Sequence, residues 1–378
     1  MVSISVCSTG ARAQASFTFL IAPWQTWGSR FEWIGSDGTA AVGTCDNRVT
    51  RWTAEGGYEN RGVGRGLLGG DATTLVVGSQ DGGMYTSFFF YAADGSVTHI
   101  DNGCHGTAFG LSSNGTCFLW GEDTGCGEGY LAAQGWGDCI SFNATWLKAV
   151  SADGQYLVGE YTYKDWNGSA TYGPALYTPI GAVALNWGSW HYFSATAISR
   201  NGRIVAGVRQ EAATDVWRLY TLADMLDWQT YAFDVIDGLN APPADVSDDG
   251  GIMRLRYGPT HGLWSRTRGS AEINKLVAPL GIVPAGWRIE ELTDMSSDGR
   301  ALIGVAKSTV SGNSVGFIMT LPAICPADLD WNWAVDAKDF NLFMALYMSG
   351  VEKADIDGSG YVDTDDLDAF VKAFESGC

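Results

Sequence analysis

The chain has 378 residues, enough for two or three domains. Its 42 acidic and 23 basic residues leave a net charge of −19, which disfavours nucleic acid and anionic membrane surfaces as partners. Apolar residues make up 46%, but no run of about 18 of them occurs, so no transmembrane segment is expected.

In chain order, residues 1–15 come first. A short apolar stretch leads to Ala13-Gln14-Ala15, which has the small-residue character of a secretory cleavage site before Ser16. The segment reads either as a signal-peptide remnant or as the first strand, and the expected location is secreted or cell-surface. The eight cysteines suit an oxidising compartment. Cys104, Cys117, Cys126 and Cys139 cluster without a Cys-x-x-Cys pair, so two local disulfides are expected there rather than zinc, with three connectivities open.

A phrase recurs from residue 35 onward: Ser, a variable residue, Asp or Asn, Gly, then an apolar run. It reads "GSDGTAAVG" at 35, "LSSNGTCFLWG" at 111, "VSADGQYLVG" at 150, "ISRNGRIVAG" at 198, "VSDDGGIMRL" at 246 and "MSSDGRALIG" at 295, with a degenerate copy, "GGDATTLVVG", at 69. Asp-Gly and Asn-Gly supply the positive φ of tight hairpin turns. A unit of about 45 residues holds three or four short strands, the content of a propeller blade. With 50 Gly, 16 Trp, 15 Tyr and 16 Phe, the composition fits a mainly β fold. The expected architecture is a seven-bladed β-propeller over 16–322; six blades or a sandwich are the alternatives. The phrase resembles the extracellular HAF-type repeat, a β-propeller family of secreted bacterial proteins. That resemblance implies a fold and carries almost nothing about activity.

No catalytic constellation is legible. The four histidines, His99, His105, His191 and His261, form no metal-binding pair, and no nucleophile elbow, phosphate loop or dinucleotide fingerprint occurs. Acid pairs such as Asp294 with Asp298, Asp245 with Asp249 and Glu160 with Asp165 are near only in sequence, and the turn aspartates already have a capping role. The aromatic group Trp187, Trp190, Tyr192 and Phe193, with Trp136 and Trp166, could stack on a carbohydrate or pack between blades.

Residues 323–378 change character. In "DIDGSGYVDTDD", Asp355, Asp357, Ser359, Tyr361 (through its carbonyl), Asp363 and Asp366 occupy positions 1, 3, 5, 7, 9 and 12 of a calcium loop, with Gly360 at the turning sixth position. Leu367, Phe370, Val371 and Phe374 then mark one face of a helix. A copy 27 residues earlier places Asp328, Asp330, Asn332, Ala334, Asp336 and Asp339 at the same positions, with Trp333 where Gly is wanted. Two calcium ions are expected, the second loop being the more secure site because a bulky residue resists positive φ.

Two such loops, each followed by one helix and lacking the helix that precedes the loop in a full EF-hand, resemble a type I dockerin. The flanks "CPADLD" and "ESGC" are similar to dockerin-like tails of secreted planctomycete-type proteins. The resemblance implies docking to a cohesin-like protein, with recognition at Ala337, Lys338, Thr364 and Asp365, and it makes Cys325 and Cys378 candidates for a disulfide clasp. Trp331 and Trp333 are either anchors for a partner or, across the short linker "LPAI", packed on the last blade. Three functions are weighed: a non-catalytic extracellular binding protein attached through its tail, a structural subunit that self-assembles into a layer or filament, and a secreted carbohydrate-active enzyme.

Overall fold

The computed structural model describes the side chains chiefly of 15–62, 148–159, 195–207, 241–256 and 261–376, a few single positions excepted, and the strands between these by backbone and register. Among the described residues the strands form seven four-stranded antiparallel sheets. Six are consecutive meanders, over 29–63, 65–100, 107–141, 144–184, 193–236 and 243–272. The seventh combines Trp287–Met295, Ala301–Ser308 and Ser314–Thr320 with a strand from the other end of the chain, Ser16–Leu20. In every case the first strand touches the first strand of the next sheet, and Trp287–Met295 touches Ser29–Ile34. The first strands therefore circle a common axis, which is the β-propeller arrangement.

Ring closure has a specific chemistry. Ser16–Leu20, the first described strand, pairs antiparallel with Ser314–Thr320. Phe17 stacks on Phe317 with centroids 4.9 Å apart, and both rings are buried. The Ser29 hydroxyl donates to the Leu20 carbonyl at 2.8 Å and accepts the Gly316 N–H at 2.9 Å, tying the first and seventh sheets together.

The recurring phrase forms the turn between the first two strands of a sheet. Its serine is buried at 151, 199, 247 and 296. Each of these hydroxyls accepts the backbone N–H five residues on, at 2.9 to 3.1 Å, and donates to the Asp or Asn two residues on, at 2.6 to 2.8 Å. The glycine closes the turn on the serine carbonyl. At Gly202, φ is 73° and a Cβ would stand 2.6 Å from the Tyr156 ring, so only glycine fits. The turns also bond to one another around the ring: Ala152 N–H to the Arg200 carbonyl, Asp248 N–H to the Ser297 carbonyl, and Ser297 N–H to the Ser36 carbonyl.

The C-terminal segment carries two helices, α2 (Ala337–Met348) and α3 (Thr364–Ser376); a short helix α1 (Ile273–Val277) lies earlier, after the sixth sheet. Phe343 of α2 and Phe370 of α3, at equivalent places in the two copies, stack face to face at 3.9 Å in a small core with Ala327, Leu329 and Ala354.

Candidate metal centre

The two loops fold alike. The twelfth-position carboxylates, Asp339 and Asp366, are buried. Asp339 accepts the N–H of Leu329 at 2.8 Å and of Asp336 at 2.9 Å; Asp366 accepts those of Ile356 at 2.7 Å and Asp363 at 2.8 Å. Asp336 at the ninth position caps α2 by accepting the Lys338 N–H at 2.7 Å, and Asp363 accepts the Asp365 N–H at 2.8 Å. Positions 9 and 12 thus start the helix and shape the loop together. Carboxylate oxygens of Asp328, Asp330 and Asp339 lie within 4.8 Å of one another, as do those of Asp355, Asp357 and Asp366. The donors are all oxygen, which suits a hard divalent cation. At the fifth position Asn332 accepts the Ala334 N–H at 2.7 Å, while the Ser359 hydroxyl donates to the Tyr361 carbonyl at 3.2 Å.

One atom tests the fit. Asp328 is 1% exposed; its Oδ2 accepts the Trp333 N–H at 3.0 Å, but its Oδ1 is buried without a hydrogen-bond partner. A buried carboxylate oxygen left bare is costly, and a cation in the loop would satisfy it. Burial pushes the Asp328 carboxyl up to about 6 against the pull of Arg268.

Arg268 comes from the turn leading into the last strand of the sixth sheet. Its Nη1 lies 3.3 Å from Asp328 Oδ2, its Nη2 donates to the Cys325 carbonyl, and its guanidinium sits 4.5 Å from the Trp331 ring centre. The Trp333 indole N–H donates to the Leu276 carbonyl of α1 at 2.7 Å. Trp331 and Trp333 are buried in the cluster that holds Leu263, Leu276, Ile289 and Leu302. Of the two readings of Trp331 and Trp333, packing is the one observed and the exposed partner anchor is corrected: with the linker buried at Leu321, both rings reach the propeller and bury there. Ala337, Lys338, Thr364 and Asp365 are all exposed. Cys325 is buried and disulfide-bonded, and Cys378 lies outside the described residues.

Inside the ring, a cavity of about 450 Å³ is lined by the first strands. Bulges in those strands displace the register at Glu32, Lys148, Thr196, Ala244 and Thr293, and all five line the cavity. Asp294 accepts from Arg200 at 3.0 Å and from the Ile34 N–H at 2.7 Å; burial pushes its carboxyl up to about 6. Asp245 is ion-paired with Arg254. Neither of these acids stands without a cationic partner. Cys104, Cys126 and Cys139, the side chain of Cys117, the aromatic group at 187–193 and the pair Glu160 with Asp165 lie outside the described residues or side chains.

No protein-family model and no curated protein matches the chain. Among solved structures, an oligogalacturonate lyase in complex with manganese is similar at 12% identity and a TM-score of 0.49, covering 85% of this chain and 97% of that one. The β-propeller domain of the Trilobed protease from Pyrococcus furiosus is similar at 9% identity and a TM-score of 0.48, covering 77% and 95%. Hydrazine synthase from Kuenenia stuttgartiensis is similar at 13% identity and a TM-score of 0.45, covering 80% and 99%. Likenesses at this level do not bear on activity. No helix among the described residues is long and apolar enough to cross a membrane.

Proposed function

We propose that the chain is an extracellular, non-catalytic binding protein. A seven-bladed, HAF-like propeller presents a surface, and a calcium-stabilised dockerin-like module attaches it to a cohesin-like protein or to another copy of itself. The observation that carries this reading is the repeated carboxylate cluster, with a bare buried oxygen on Asp328 in the first loop. In the first loop Asp328, Asp330, Asn332, Asp336, Asp339 and the Ala334 carbonyl hold the cation; in the second, Asp355, Asp357, Ser359, Asp363, Asp366 and the Tyr361 carbonyl do so. The ion supplies charge neutralisation and loop rigidity, and the chain's own residues set the helix directions. A Cys325–Cys378 clasp would close the module. The docking face is the exposed side of the helices, with Ala337, Lys338, Thr364 and Asp365; the same module leaves large side chains in water, Met348 being 82% exposed and Tyr361 77% exposed.

The test is calorimetric titration of the full chain with calcium, followed by sedimentation with calcium or with EDTA, alone and with a cohesin domain. Two bound ions and a calcium-dependent complex are expected, and Lys338→Glu with Thr364→Lys should abolish the complex without changing calcium affinity. Absence of calcium binding would refute the reading. A complex formed only with a second copy would select the self-assembling subunit.

A further inference from the structure

We propose that the first calcium loop is a composite site, completed by the propeller, with Arg268 as its positioning residue. This rests on the calcium reading above and adds a residue and a domain to it.

The sixth position of the first loop is Trp333 at φ 63°, and Trp331 sits at φ 60°. A bulky side chain in the left-handed region is strained, and two indoles on a free module would stand in water. The propeller answers the second objection and offsets the first. It buries the rings with Leu263 and Leu276, and the Leu276 carbonyl accepts the Trp333 indole N–H at 2.7 Å.

The propeller also fixes the first ligand. Arg268 has no exposed side-chain surface, and its Nη1 lies 3.3 Å from Asp328 Oδ2 as an ion pair without a hydrogen bond; the same oxygen accepts the Trp333 N–H at 3.0 Å. With Oδ2 bonded to the Trp333 N–H and facing the guanidinium charge, Oδ1 is the oxygen left for a cation. Charge counting agrees. Asp328, Asp330, Asp336 and Asp339 bring four negative charges, and a divalent ion neutralises two. Asp330 and Asp336 face water, but Asp328 and Asp339 are buried, and there a guanidinium can offset the excess. The second loop has Gly360 at its sixth position, where positive φ carries no strain, so it needs no such help.

The experiment compares the two loops within one full-length molecule. Calcium is titrated calorimetrically, with terbium luminescence excited through tryptophan reporting the first loop. Wild type should take two ions. Arg268→Met should weaken the first site by about tenfold or more, as loss of a group orienting a ligand does, and leave the second within about twofold. Arg268→Lys should recover part of the loss. Trp333→Phe, which keeps a ring and deletes the N–H, should weaken the first site alone. An Arg268→Met protein with an unchanged or tighter first site would overturn the proposal, the latter making Arg268 a competing cation. If wild type binds calcium only in the second loop, the composite site falls and the calcium reading stands. If it binds none, the calcium reading falls first. Should Arg268→Met fail to fold, the terbium affinity of Trp333→Phe decides alone.

Discussion

Arg268 of the propeller and Asp328 of the first loop face each other at 3.3 Å with essentially no solvent on either side chain. Residues sixty positions apart are thereby made one electrostatic unit, and burial makes each dependent on the other. Burial pulls the guanidinium down to about 10 even with Asp328 opposing that shift. The C-terminal module is consequently packed on the propeller, not tethered beside it.

Trp331→Ala should lower the stability of the whole protein by about 3 kcal/mol, as expected for a large ring removed from a packed cluster. Association through the module should be unaffected. Thermal melting and sedimentation on the same variant check both halves; an unchanged melting temperature with lost association would restore an anchor role for the ring.

Calcium should raise the melting temperature of the full chain, by about 2.7 kcal/mol of stability per site at a hundred times Kd. EDTA should reverse the rise, and Asp355→Ala should remove the part owed to the second loop. Trp333→Gly relieves the backbone at φ 63° but empties a buried site, so it should destabilise the protein even in calcium.

Asp294 gives a pH signature. Its folded carboxyl is raised by burial to about 6 from an ordinary 3.8, so the folded state binds the proton more tightly than the unfolded chain. Its contribution to stability therefore falls as pH rises between about 4 and 6. Relative to wild type, Asp294→Asn should look progressively worse as pH is lowered through that window, measured by melting in EDTA. The opposite trend would show that the Arg200 pair outweighs burial.

Phe17→Ala should cost about 3–5 kcal/mol, because the ring stacks between the strand that closes the seventh sheet and the rest of it. Removal of residues 1–20 should expose the edge of Ser314–Thr320 and promote aggregation, read by light scattering.

Ser199→Ala should cost about 1–2 kcal/mol, since the Ile204 N–H loses its buried acceptor. Gly202→Ala should cost at least as much, from positive φ and the 2.6 Å approach of Tyr156. Urea unfolding of both variants measures this.

The sequence was informative where function is local. The Ser-x-Asp-Gly phrase announces a turn because its donors and acceptors lie within five residues, and Gly38, Gly154, Gly202, Gly250 and Gly299 all take the positive φ it implies. What was missed is the job of the serine, whose hydroxyl is the buried hub of the turn; the regular Ser before Asp-Gly was the available signal. Position 9 of each loop was read only as a ligand, although Asp336 and Asp363 also head their helices.

By itself the sequence determined the β character, the repeated turns, the paired loops and their helices, because each depends on spacing that a short segment carries. Only the tertiary structure decided that Ser16–Leu20 closes the ring, that bulges turn Glu32, Lys148 and Thr293 into a shared cavity, and that Trp331 and Trp333 go inward. Those outcomes depend on which surfaces meet across long separations. An indole looks the same in sequence whether it waits for a partner or fills a gap in a neighbouring sheet. Burial against α1 and the approach of Arg268 settle which, and no local pattern encodes them.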